Sequence, residues 1–126
     1  MHQKIKQLSE NRIKYFIENP EPFYKWYKTY FDAVKDEFEE VEEQLKDNNS
    51  VYLEDELWDV FWDYMCLLYS LKSEWKITSV EKVFERAYKK LSERIWNNWK
   101  NNWDWQEIKK KQKEELKLEH NKIYPK

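Results

Sequence analysis

Two stretches decide the fold: Val34–Leu45, VKDEFEEVEEQL, and Leu53–Leu68, LEDELWDVFWDYMCLL. Around the first, Tyr27, Tyr30, Val34, Phe38, Val41 and Leu45 recur at steps of three and four residues, which is the spacing of one apolar stripe on an α-helix. Around the second, Leu53, Leu57, Val60, Tyr64, Leu67 and Leu71 repeat the pattern. Between them Asp47-Asn48-Asn49-Ser50 is a run of turn formers, so the two helices are expected to lie antiparallel with their stripes together.

Working outward, a first helix is expected from roughly Gln3 to Glu18, ended by Asn19-Pro20-Glu21-Pro22, because proline disfavours helix in the residue before it. The second helix should start near Phe23 and run to about Leu45, and the third should take Ser50 as its N-cap and reach about Ser73. Thr78-Ser79-Val80-Glu81 reads as a capping box, with Thr78 as cap and Glu81 reaching back, opening a fourth helix to about Trp103. Residues 1–105 thus read as one all-α, four-helix bundle-like domain, and residues 106–126 as a charged C-terminal tail that is helical for part of its length.

Composition narrows the chemistry. The 126 residues include no glycine, against roughly 7% in ordinary proteins. P-loops and GxGxxG turns are therefore excluded, since both need glycine to bring backbone N–H groups up to a phosphate. The single cysteine, Cys66, allows neither an internal disulfide nor a cysteine metal cluster, which suits a reducing cytoplasm. The N-terminal MHQKIKQLSENRIK lacks an apolar signal core, and no segment approaches the ~18 apolar residues of a membrane span. His2 and His120 lie near opposite ends in polar surroundings, so neither a nucleophilic triad nor a histidine-bearing di-iron site is expected.

The formal net charge of -2 conceals a segregation. From Asp32 to Asp63 there are thirteen acidic residues and two lysines; from Tyr64 to Trp105 eight basic and five acidic; from Gln106 onward seven basic and four acidic. At ~100° per residue, Glu37 and Glu40 fall about 60° and 120° to one side of the second helix's stripe, whereas Asp36, Glu39 and Glu43 turn to solvent. An alternative register built on Glu39, Glu40 and Glu43 would aim the carboxylates outward and is rejected. Glu56, Asp59 and Asp63 flank the third helix's stripe in the same way. A lone Glu-x-x-Glu is ordinarily a solvated face. Two matched pairs brought together at the edge of a core instead repel each other unless cations intervene, and oxygen ligands without histidine or cysteine indicate Mg²⁺, or Mn²⁺, rather than zinc or copper.

With these residues in view, the segment from about Trp26 to Arg94 resembles the MazG-like all-α nucleoside triphosphate pyrophosphohydrolases, whose signature pairs a Glu-x-x-Glu helix with a Glu-x-x-Asp helix. Here the pairs are Glu37/Glu40 and Glu56/Asp59. The family pattern carries glycine between the second Glu and its Asp, where this chain has Trp58, so the helix packing behind the site is expected to differ. The resemblance implies hydrolysis of a nucleoside triphosphate to the monophosphate and pyrophosphate, with Mg²⁺ held by Glu37, Glu40, Glu56 and Asp59 and with Asp63 as a further ligand or supporting group.

An anionic substrate needs cations as well. Arg86, Lys90 and Arg94 lie along one flank of the fourth helix's stripe of Val80, Phe84, Ala87, Leu91 and Ile95, and are the candidate phosphate contacts. Trp26 is the candidate base-stacking residue. Trp58, Trp62 and Tyr69 form a second apolar face on the third helix, continued by Trp96, Trp99 and Trp103, which points to a homodimer or homotetramer. The KKKQK run at 109–113 is a weak nucleic-acid signal, and a nucleic-acid partner is not expected. A specialist for dUTP or dCTP is a narrower form of the enzymatic reading. The competing reading is a non-catalytic helical interaction module with an acidic face and an aromatic assembly surface.

Overall fold

The structure, a computed structural model, describes residues 1–100 and 105–126, with side chains described for 1–96 and 105–126. Among these residues it is all-helical: α1 (His2–Glu18), α2 (Tyr27–Glu43), α3 (Ser50–Ser73), α4 (Val80–Lys100) and α5 (Trp105–Ile123), with no strand. The helices form two compact units, Met1–Val80 and Glu81–Lys126. Trp99 and Trp103 of the expected aromatic seam lie outside the residues whose side chains are described.

In the first unit α3 is the central element, packed by both α2 and α1. Its C-terminal half is buried all round, with Met65, Cys66, Leu67, Leu68, Tyr69 and Ser70 inside, because α2 covers one face there and α1 another. The second apolar face expected on α3 is accordingly covered at Tyr69 but open at Trp58. From α1, Ser9, Ile13 and Phe16 turn inward at helical spacing. Phe16 stacks on Tyr24, with ring centroids 5.1 Å apart, and meets Phe23 edge-on at 5.0 Å. Truncating such a buried ring to alanine costs about 3–5 kcal/mol.

This aromatic knot explains why α2 begins at Tyr27 rather than near Phe23. Tyr24 is drawn in against Phe16 and Ser70, its Oη 3.0 Å from Ser70 Oγ in a hydrogen bond, while Phe23 covers the Phe16 ring from the surface. Thr29 holds the turn, its hydroxyl accepting from the Lys25 N–H and donating to the Phe23 carbonyl. The Tyr27 N–H, an orphan donor at the helix start, finds Glu74 Oε2 at 2.9 Å.

The caps shift by one residue from their expected positions. Asn49, not Ser50, stands at the N-cap of α3, and its side-chain amide donates to both the backbone and the side-chain oxygen of Gln44, tying the α2–α3 turn together. Similarly α4 begins at Val80, one residue later than a Thr78 cap would start it. A glycine-free chain must also place other residues in left-handed conformations: Trp26 (φ 58°), Asn48 (φ 55°) and Trp75 (φ 62°) take those positions. Asparagine tolerates a positive φ, whereas each tryptophan there sits in a sparsely populated region at a cost of about 1–3 kcal/mol.

The second unit is an antiparallel pair of helices. Arg86 grips Glu119 through both guanidinium nitrogens, Lys89 faces Glu115 at 3.9 Å, and Arg94 Nε donates to Gln112 Oε1 at 2.8 Å. Partner numbers fall along α5 as they rise along α4, which fixes the antiparallel sense. Gln112 is buried with its polar atoms satisfied, its amide nitrogen donating to the Lys90 carbonyl and to Glu93 Oε2, both at 3.0 Å.

Candidate metal centre

The α2–α3 pairing brings together the carboxylates that flank the two stripes. One oxygen each from Glu37, Glu56 and Asp59 lies within 4.8 Å of the others. Glu37 Oε2 and Glu56 Oε2 are buried and accept no hydrogen bond. Buried anionic oxygens without a donor are costly, since neither water nor protein replaces the solvation they lost. Glu40 stands beside them, and its charge acts on both Glu37 and Glu56.

The electrostatics follow from this crowding. Burial first, then Glu40, Asp63 and Asp59, pushes the Glu37 carboxyl up from its ordinary 4.5 to about 8. Burial, with Asp59 and Glu40, raises Asp63 to about 6. Glu56 and Asp59 are raised as well, by burial and then by Glu40, Asp59 and Asp55 in the first case and by Asp55 and Glu40 in the second. Lost hydration and like charge thus act together to hold protons in the cluster. A divalent cation would relieve both, and the donor set of carboxylate oxygens alone suits a hard ion such as Mg²⁺ or Mn²⁺. The residues present therefore fit a metal.

Asp63 lies one turn beyond Asp59 on α3, buried where Tyr30 and Cys66 meet. Cys66 is fully buried, its thiol pushed up to about 12 mainly by that burial, which leaves it inert as a ligand or nucleophile. Asp55 was not among the expected site residues, yet its charge acts on both Glu56 and Asp59. Its position one helical turn before Asp59 is the sequence signal that could have shown it. Trp58, where the family pattern has glycine, lies partly exposed with its ring 5.9 Å from that of Phe61. Its bulk runs along the outer surface of α3 and leaves Glu56 and Asp59 facing Glu37.

The remaining candidates stand on other parts of the chain. Trp26 sits at the start of α2, eleven residues before Glu37, or about 16 Å along the helix axis, and its ring packs 5.8 Å from Tyr24. Arg86, Lys90 and Arg94 belong to the second unit, where α5 engages them. Arg86 is paired with Glu119, the Lys90 carbonyl accepts from Gln112, and Arg94 bonds Gln112 and stands 5.4 Å over the Trp105 ring.

A half-buried, metal-fitting carboxylate cluster between two antiparallel helices defines an all-α protein built for oxygen-ligated cations. A model of the MazG nucleotide pyrophosphohydrolase domain matches residues 26–99, more than half of the chain, and the protein belongs to that family. No curated protein and no solved structure matches the chain. Among the described residues no helix is long and apolar enough to cross a membrane.

Proposed function

We propose that this protein hydrolyses a nucleoside triphosphate between its α and β phosphates, releasing a nucleoside monophosphate and pyrophosphate. The observation that carries this reading is the pair of buried, donorless oxygens on Glu37 and Glu56 beside Asp59, within a chain of the MazG family. Glu37, Glu56 and Asp59 would hold Mg²⁺, or Mn²⁺, with Glu40 and Asp63 completing the acidic set. When bound, the ion supplies the positive charge that a polyphosphate needs in this acidic setting.

In the reaction a water oxygen bonds to the α-phosphorus, the bond from that phosphorus to the bridging oxygen breaks, and pyrophosphate leaves with the bridging oxygen. The water's proton passes to a carboxylate of the cluster, where burial and like charge already favour holding one. Arg86, Lys90 and Arg94 are proposed as phosphate contacts and Trp26 as the base platform, with dUTP or dCTP as the narrower substrate choice. For Arg86 and Arg94 this use requires substrate to displace Glu119 and Gln112.

A homodimer or homotetramer is part of the same reading. Phe38, Leu45, Val51, Tyr52 and Leu57, at the end of α2 and the start of α3, are all exposed in the single chain, as are Leu91, Ile95 and Trp96 of α4. Patches of this extent ordinarily mark protein contacts. We place the enzyme in the cytoplasm, where nucleotide pools are maintained and Cys66 stays reduced.

The test is to incubate the purified chain with a panel of nucleoside triphosphates and Mg²⁺ and to measure monophosphate and pyrophosphate. Stoichiometric release of both is expected. A folded sample that releases neither would favour the non-catalytic interaction module.

A further inference from the structure

The C-terminus of α3 is closed by two hydrogen bonds, Lys76 N–H to the Leu71 carbonyl at 2.9 Å and Trp75 N–H to the Lys72 carbonyl at 3.0 Å. This is the Schellman arrangement, in which the residue at the position of Trp75 is usually glycine because its φ is positive. Trp75 is poorly suited to that backbone, and its side chain gains nothing in return from the free chain, being 93% exposed. A bulky residue held in this conformation is an outlier that calls for a functional account.

Beside the indole lies a groove of about 280 Å³ between α1 and the end of α3. Its floor is apolar, made by the buried Ile13 and Tyr69, and Trp75 forms one wall. Two cations stand on the rim. Lys14 is held by Glu10 at 3.3 Å, whereas Lys72 has no ion-pair partner among the described residues. The groove spans α1 only from Glu10 to Ile17, about 10 Å along the axis, which suits a small molecule rather than a protein segment.

We propose that this groove binds a heteroaromatic anion of mononucleotide size, its ring stacked on Trp75 and its anionic group on the Lys72 ammonium. The flat wall, the apolar floor and the unpaired cation each match one part of such a ligand. Lys72 lies thirteen residues beyond Asp59 on α3, about 20 Å along the axis, so this site is separate from the acidic centre and does not rest on the hydrolytic reading.

The test uses the full chain in metal-free buffer, with ¹⁵N-labelled tryptophan and the Trp75 indole resonance assigned through W75G. AMP, UMP, uridine and inorganic phosphate are titrated separately. A saturable shift of the Trp75 resonance is expected with at least one monophosphate, with uridine roughly fivefold or more weaker than UMP and phosphate alone without effect. W75G removes the backbone clash, so it should melt no lower than the parent, yet lose about tenfold or more in affinity, read for both proteins by titration calorimetry because W75G lacks the reporting indole. K72Q should weaken binding about fivefold, while E56Q, in the acidic centre, should leave it unchanged. The proposal is overturned if no saturable shift appears with AMP or UMP up to about 10 mM, if W75G binds as the parent does, or if uridine equals UMP.

Discussion

The acidic face of α2 and α3 and the α4–α5 pair use charge in opposite ways. Residues 1–80 contain 17 acidic and 10 basic side chains, and residues 81–126 contain 8 acidic and 13 basic. In the second unit Arg86 meets Glu119, Lys89 meets Glu115, and Gln112 satisfies Arg94, so opposite charges and hydrogen-bonding groups meet within it even though cations are in excess. At the centre of the first, Glu37, Glu40, Glu56, Asp59 and Asp63 converge with no cationic side chain bonded among them, and two buried oxygens go unpartnered. Charges that meet opposite partners hold two helices together without a further ligand. A unit that gathers like charges at a core edge is stable in that arrangement only with protons or a metal, which is why the second contrast points to chemistry and the first to architecture.

The largest effect that would test this contrast is on turnover. Glu56→Gln, and equally Glu37→Gln, should lower kcat/KM for triphosphate hydrolysis by at least about 100-fold, read by pyrophosphate release, because each removes an anionic ligand while keeping its volume. Undiminished activity in both variants would remove the acidic cluster from the mechanism. Next comes metal-linked stability. Mg²⁺ or Mn²⁺ at about 100 times its dissociation constant should stabilise the fold by about 2.7 kcal/mol, measured by thermal melting, and E56Q should suppress the shift.

The third effect is pH dependence, and its sign is unusual for carboxylates. Glu37 and Asp63 bind protons more tightly when folded, so the metal-free chain carries their full contribution below 4.5 and 3.8. It loses that contribution as pH rises through about 6 for Asp63 and about 8 for Glu37. Chelator-treated protein should therefore melt higher at pH 5.5 than at pH 8.5, and saturating Mg²⁺ should flatten the difference, because metal takes the place of protons. A metal-free melting temperature that rises between those two pH values would contradict the crowding described above. The smallest effect belongs to the second unit. The Arg86–Glu119 pair is partly exposed, and a double-mutant cycle of R86A and E119Q should give a coupling of about 1 kcal/mol or less, falling with salt.

Much of this was legible in the sequence because helical period and charge are local properties. The stripes through Tyr30 and Leu67 and the flanking pairs Glu37/Glu40 and Glu56/Asp59 can be placed from residue spacing alone, and the turn at Asp47–Ser50 sets the two helices side by side. The start of α2 was not legible in that way. Phe23 and Tyr24 have ordinary helical propensity, and only the packing of Phe16 and the bond to Ser70 draws them out of the helix. Nor did the spacing of Arg86 and Arg94 reveal that α5 returns along α4 to engage them, since an ion pair across 33 residues depends on how two helices meet.

By itself the sequence determined the class of the protein: glycine-free, helical, with two acidic pairs set to one side of two apolar stripes. These follow from the ~100° step of the helix, which every local segment obeys wherever it packs. Tertiary structure alone decided which carboxylate oxygens became buried and donorless, that Glu40 of α2 adds its charge to Glu56 and Asp59 of α3, and that Trp75 stands exposed on a left-handed backbone. Burial and field are sums over neighbours brought in from distant parts of the chain, so they exist only once the helices have met.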